Sequence, residues 1–504
     1  MKVLLLGPDA DFPWDEPPTV TAQDLLRDLG LDTLVDAMAT SGTLPADDIR
    51  HVLLTPLADP DAVRYRQQVL QDCLEHPDLL EGLRATALAA LDDEHSVWPG
   101  LAPTAARVLA HAADVLRVMT GHLRTLRQLA EEYAALVRSP GLRQLLGTLR
   151  SALDDSWFRA VEKHLERLRF SKGVTLGARL GTDLKGTDYV LRVPHRKTGL
   201  RAHLLSQENA YTYRVPARDE NAATELAALR DRGTVLAAEA LDTATRHIHD
   251  FLMALGRETS FYLAAAHLHD RLTKAGLPAC FPVITAHPRP AFGCRDVYDP
   301  CLALTGSTTV VGNDIQADGT LLITVTGANA GGKTTLLRAI GLAQLMAQAG
   351  LFVAASELTT DTRDTVLTHF RREEDTTMKS GKLDEELVRM DTLVEQLSPN
   401  GLVLLNEPFA ATTEREGAEV ARKIIDAFVH AGVKVVLVTH LHELARSLQK
   451  RYAPPRALFL RADREATGRR SYKILPGDPR PTAYASDLYA EIFGTTRPAT
   501  RRDS

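Results

Sequence analysis

The sequence predicts an α/β domain over residues 281–504, preceded by a long and mostly helical region that carries a small β-hairpin. Three observations predict it. Apolar residues recur at helical spacing through most of the first 275 residues, short apolar runs of strand length alternate with helical patterns after residue 281, and in between the period switches briefly to two. At 504 residues and 44% hydrophobic, the chain is long and apolar enough for about three domains, so disorder is not the default.

From Thr21 to about Leu91 the spacing of Leu25, Leu26 and Leu29, then of Val63, Val69, Leu70 and Leu74, predicts helices. Breaks at TLPADD and TPLADPDA separate them, with Asp59 and Asp61 placed to cap the next helix. A longer pattern over about 103–169, interrupted by Ser139-Pro140-Gly141, reads as two long antiparallel arms. Val174, Leu176, Ala178 and Leu180 then alternate with other residues, GTDLKGTD supplies turn chemistry, and Tyr189, Leu191 and Val193 alternate on the far side. Helix returns over about 218–275, and the Pro-rich LPACFPVITAHPRP marks the last boundary. The domains read as 1–100, 101–280 and 281–504; the closing RPATRRDS reads as disordered.

The amino terminus, MKVLLLGPDADF, is too short an apolar run for a secretory signal. The longest apolar stretch, AIGLAQLMAQAGLFVAA at 339–355, carries two Gln and reads as a buried helix running into a strand, which leaves no membrane span. Cys73, Cys280, Cys294 and Cys301 form no CxxC pair, which argues for a cytoplasmic location and against zinc. The net charge of -6 is uneven. Arg117 to Arg201 holds 17 Lys and Arg against 8 Asp and Glu, about +9 locally against about -15 elsewhere, so a polyanion partner competes with a merely solvated basic surface.

Residues 321–338, LLITVTGANAGGKTTLLR, read as strand, glycine-rich turn and helix. Gly327, Gly332, Lys333 and Thr334 fit the phosphate-loop pattern GxxxxGK[ST] in that context. Glycines let the backbone N–H groups of Gly327, Ala328, Asn329, Ala330, Gly331, Gly332, Lys333, Thr334 and Thr335 converge on phosphate oxygens. Lys333 supplies a cation at the β/γ oxygens and Thr334 a hydroxyl for Mg2+, so the ligand is ATP or GTP. In LVLLNEPFAATTEREG, 402–417, a buried strand delivers Asn406 and Glu407. Glu407 is placed to orient or deprotonate an attacking water. Asn406 stands where a nucleotide-hydrolysing enzyme normally carries Asp; it keeps an acceptor for a metal-bound water without the charge. In VKVVLVTHLHEL, 433–444, another strand ends at Thr439-His440, where His440 can sense the γ-phosphate and His442 reads as structural.

Together GNDI at 312–315, the glycine-rich stretch, LVLLNEPFAATTEREG, VTHLHEL and YKILPG at 472–477 resemble the MutS family of DNA mismatch repair ATPases and their relatives. LLTPLADPDAVRYRQQVLQDCLEHPDL at 53–79 is similar to that family's core and lever region. The resemblance implies an ABC-type P-loop ATPase domain at 281–504 using ATP and Mg2+, and a head-to-tail homodimer with two ATP sites at its interface. It also implies a helical lever and a clamp that handles DNA. The trans signature serine falls near MKSGKLDEELVRM, at Ser380, or at Gly381 with an offset of one.

The chain departs from the family pattern at several points. None of its 13 Phe is followed two residues later by Glu, so the mismatch-reading wedge is expected to be missing. The aromatic that stacks on adenine falls near Val310, a valine. Asn406 suggests slow turnover, as suits a switch that stays ATP-bound. Two further readings compete: an ATP-binding scaffold that scarcely hydrolyses and serves other repair or recombination proteins, and an ABC transporter ATPase, disfavoured by the lack of LSGGQ.

Overall fold

A computed structural model describes residues 1–479 apart from 17–21, 40–44, 99–103, 171–172, 184, 193–213, 217, 287–289, 307–309, 329, 373–381, 411 and 465–469. The RPATRRDS tail and Val193 of the expected second hairpin strand lie outside the described residues. The chain divides into two compact units, one of residues 1–5, 76–138 and 142–259, the other of residues 6–75, 139–141 and 260–504.

In the first unit, α5 (Pro77–Ser96) packs on α6 (Ala105–Tyr133), which also packs on α8 (Asp155–Leu168). Leu116, Met119, Leu123, Leu126 and Ala130 recur at three- and four-residue steps and form the buried stripe of α6. The stretch expected to be one return arm is two helices, α7 (Pro140–Ala152) and α8. The break falls where the Asp154 carboxylate accepts from the Trp157 N–H at 2.7 Å and caps a new helix. Strands β1 (Thr175–Leu180) and β2 (Gly186–Arg192) pair antiparallel with an irregularity between Gly177 and Arg179. The long α9 (Glu220–Lys274) gives residues 220–259 to this unit.

The second unit begins with short helices, α1 (Ala22–Leu29), α2 (Leu31–Ala39), α3 (Ala46–Leu53) and α4 (Pro60–Glu75). Asp59 caps α4 through the Asp61 N–H at 3.1 Å. A four-stranded sheet runs in the order β3 (Val283–Thr285), β7 (Glu357–Asp361), β4 (Phe292–Val297), β5 (Asn313–Gln316), with the short α10 (Pro300–Leu304) between β4 and β5 in the chain. The larger sheet runs in the order β12 (Arg470–Pro476), β11 (Ala457–Arg464), β6 (Leu322–Thr326), β10 (Lys434–Val438), β9 (Leu402–Asn406), β8 (Val366–Phe370). All neighbours are parallel except the β11/β12 edge pair.

Parallel strands need both faces covered, which explains the apolar runs LVLL of β9 and VVLV of β10. On one face Val403, Leu405, Val435 and Leu437 pack with Ile425 and Phe428 of α13 (Glu414–His430) and Leu444 and Leu448 of α14 (His442–Arg451). On the other lies α11 (Lys333–Gln348), against β9 and β10 and also touching β4. It approaches so closely that a Cβ on Gly341 would stand 2.5 Å from Leu404 Cδ1. Buried throughout from Ala339 onward, α11 uses its two Gln internally: Gln344 donates to the Asp361 carbonyl at 2.8 Å and Gln348 to the Arg363 carbonyl at 2.7 Å. The strand expected after it is only an isolated bridge, Val353 to Cys280. Among the described residues no helix is long and apolar enough to cross a membrane.

Candidate functional site

The parallel strands end at one edge of the larger sheet, and the glycine-rich turn, Asn406, Glu407 and His440 lie there. After β6 the chain turns through Gly327 (φ 124°), Ala330 (φ 57°) and Gly332 (φ 89°) into α11. Gly327 has no alternative: its φ is closed to most side chains, and a Cβ would stand 2.8 Å from that of Ala462. Lys333, Thr334 and Thr335 form the first turn of α11, while Asn329 lies outside the described residues. The buried Lys333 side chain curls back on its own loop, its Nζ donating to the carbonyls of Gly327 at 2.9 Å and Ala328 at 2.8 Å. Burial pushes its pKa down and Glu407 opposes that.

Asn406 closes β9, and its Oδ1 accepts from the Thr334 hydroxyl at 3.2 Å. The two candidate metal ligands therefore meet across 72 residues of sequence. Both are oxygen donors of the kind Mg2+ takes, and both are neutral. Glu407 follows with φ 52°, an unusual backbone for a glutamate, anchored by its N–H on the Val438 carbonyl at 2.8 Å. Its Oε2 lies 3.4 Å from Nδ1 of His440, just beyond β10, and 3.9 Å from Nη1 of Arg371, just beyond β8. The hydrogen bond to His440 holds the Glu407 carboxyl below its usual range against the effect of burial, and the charges of His440, Lys333 and Arg371 add to it. The result is an ionised carboxylate among cations. His442 begins α14.

Three features escaped sequence reading. Arg371 follows the buried strand VLTHF, and only the β8/β9 register, Phe370 opposite Asn406, puts it beside Glu407. Glu386 of α12 (Lys382–Glu395) accepts from the Phe409 N–H at 2.6 Å and braces the turn after Glu407. Tyr472, 47% exposed, places its Cβ 3.8 Å from the position a Cβ would take on Gly332. Two of the motifs read as ordered signatures also come together: Ile474 N donates to Asn313 Oδ1 at 2.7 Å and Lys473 Nζ to the Gly312 carbonyl at 2.6 Å.

Ser380 and Gly381 lie outside the described residues, as do Arg196, Lys197 and Arg201 of the basic segment. Arg192 is exposed at the end of β2, and with His164, Arg167 and Leu241 it lines a cavity of about 400 Å³. Several cations of that segment are already paired, Arg117 with Asp114 and Arg127 with both Glu131 and Asp155.

A parallel sheet with strand, glycine-rich turn and buried helix at its carboxyl edge defines the class: an α/β domain of the P-loop ATPase-like kind. Comparison with known proteins narrows it. The family model for the MutS2 N-terminal domain matches residues 58–275 and that for MutS domain V matches residues 323–471. The chain belongs to the MutS family. It is 34% identical over 193 residues to an Endonuclease MutS2 of Thermus thermophilus, which is 38% of this chain and 25% of that protein. An Endonuclease MutS2 of Lacticaseibacillus casei is 36% identical over 190 residues, 37% of this chain and 23% of its own length. A DNA mismatch repair protein MutS of Chloroflexus aurantiacus is 29% identical over 224 residues, 40% of this chain and 23% of its own. The matched segment thus spans about a quarter of the length of these relatives.

Proposed function

We propose that the chain is a MutS-like ATPase that couples ATP binding and hydrolysis to the opening and closing of a DNA-embracing homodimer, without reading mismatches. The observation that carries the ATPase reading is the meeting of Thr334 and Asn406 at 3.2 Å beside the ionised Glu407. Gly327 to Thr335 cradle the phosphates with backbone N–H groups, and Lys333 exchanges its loop carbonyls for the β/γ oxygens. Thr334 and Asn406 would hold Mg2+, which when bound would neutralise phosphate charge. Glu407 orients or deprotonates the attacking water, and His440, hydrogen-bonded to it, senses the γ-phosphate. Ser380 reaches the site of the second protomer.

DNA enters through the basic stretch between Arg117 and Arg201, with contacts to phosphates and not to bases. The likeness to the Chloroflexus DNA mismatch repair protein supports a DNA partner, and a cytoplasmic location and contacts with other repair or recombination proteins go with it. The neutral metal pair favours a second reading, an ATP-bound scaffold with little hydrolysis. Turnover by the purified chain separates the two, with Lys333→Ala as the binding-dead control: hydrolysis above that control supports the enzyme, and ATP binding without it supports the scaffold.

A further inference from the structure

The edge of the sheet carries a cation that the phosphate-loop reading does not use. Strand β8 pairs parallel with β9, Phe370 opposite Asn406. One residue further on, the Arg371 N–H donates to the Asn406 carbonyl at 3.1 Å, so its backbone is fixed at the last rung of the ladder. Its side chain is half exposed, at 55%, and its guanidinium stands 3.9 Å from the Glu407 carboxylate. It is therefore a half-exposed cation on a fixed backbone, beside the carboxylate assigned to the attacking water.

The metal pair gives this position its meaning. A triphosphate needs its charge neutralised, and in most such sites a carboxylate-held Mg2+ does much of that. Here Thr334 and Asn406 contribute two neutral oxygens. A weakly held cation leaves the terminal phosphate short of countercharge, and a guanidinium supplies permanent charge with two parallel donors. We infer that Arg371 binds the γ-phosphate within its own protomer and takes over part of the metal's role, so that the chain holds ATP even without a divalent cation and distinguishes it from ADP. This rests on the nucleotide-site reading above. Glu407 is the partner of Arg371 before nucleotide arrives, and the same motion that engages the phosphate loosens a 3.9 Å ion pair, which at that length and exposure holds little.

The test is equilibrium binding of ATP and of ADP to the full chain, in Mg2+ and in EDTA, for wild type, Arg371→Ala, Arg371→Lys and Lys333→Ala. Thermal melting confirms that each variant is folded. Wild type is expected to lose less than about tenfold in ATP affinity on removal of Mg2+. Arg371→Ala is expected to weaken ATP about tenfold in EDTA, clearly less in Mg2+, and to leave ADP within about twofold, as for loss of one charge-assisted contact. Arg371→Lys recovers part of the loss. If Arg371→Ala binds ATP in EDTA like wild type while Lys333→Ala binds none, the inference is overturned and the nucleotide site stands. If wild type binds neither nucleotide in Mg2+, the site reading fails and the inference with it.

Discussion

The Thr334 hydroxyl donates to Oδ1 of Asn406 at 3.2 Å, joining the first turn of the helix after the glycine-rich loop to the end of a strand 72 residues later. In that contact an amide stands where a carboxylate is usual. Asn406→Asp is expected to lower the Mg2+ concentration for half-maximal ATP turnover by about fivefold, the difference between a neutral and a charge-assisted hydrogen bond. A metal titration of turnover checks it; a higher Mg2+ requirement in the variant would mean that the surroundings are fitted to a neutral side chain.

Tyr472 stands with its backbone and Cβ beside Gly332 and is 47% exposed, whereas the position expected to carry an aromatic is Val310. Tyr472→Ala is expected to weaken ATP binding by about tenfold, the worth of one ring stacked on a base, while Tyr472→Phe keeps it. Equal losses in both variants would point to the hydroxyl and away from stacking.

Lys434 is buried at the start of β10, its Nζ without a hydrogen-bond partner and 5.2 Å from the centre of the Phe292 ring. Burial, helped by Arg363 and opposed by Asp361, Asp318 and Cys294, pushes its pKa down to about 7. The unfolded chain takes up this proton first, near the ordinary lysine value of about 10.4, so the folded state loses stability as pH falls from there towards 7. Lys434→Met is expected to stabilise the protein by about 1–4 kcal/mol near pH 7 and by little near pH 10. Denaturant titrations at both pH values measure it; an equal gain at both would assign the effect to packing.

For DNA, affinity is expected to fall steeply with salt and to vary little with sequence or with a single mismatch. Arg196→Glu with Lys197→Glu should weaken every duplex probe and flatten the salt slope, with turnover in the absence of DNA unchanged. The slope should also fall short of what 17 basic residues suggest, because Arg117 and Arg127 already hold carboxylates. Wild type that binds no DNA at low salt, or that clearly prefers a mismatch, contradicts the proposal.

The glycine-rich turn, β6, β9 and β10 were legible because their chemistry is local: Gly327 needs its φ, and a strand covered on both faces is mostly apolar. Helices α4 and α9 were legible from periodicity for the same reason. The four-stranded sheet was not. Its strands are three to six residues long and β7 pairs with β3 and β4 from far away in sequence, so no window contains the signal. Arg371 stayed hidden likewise, because its place depends on register with a strand 36 residues on. The second helical arm was misread because Asp154 acts as a cap only once Trp157 turns back on it.

The central claim is that Glu407, held ionised by His440 at the edge of the sheet, is the residue that acts on water. Single-turnover hydrolysis of bound ATP by wild type and Glu407→Gln tests it most directly. The account predicts that Glu407→Gln binds ATP as tightly as wild type, dimerises with it, and hydrolyses it slower by about a hundredfold or more. Hydrolysis at the wild-type rate would place the catalytic group elsewhere and contradict the account.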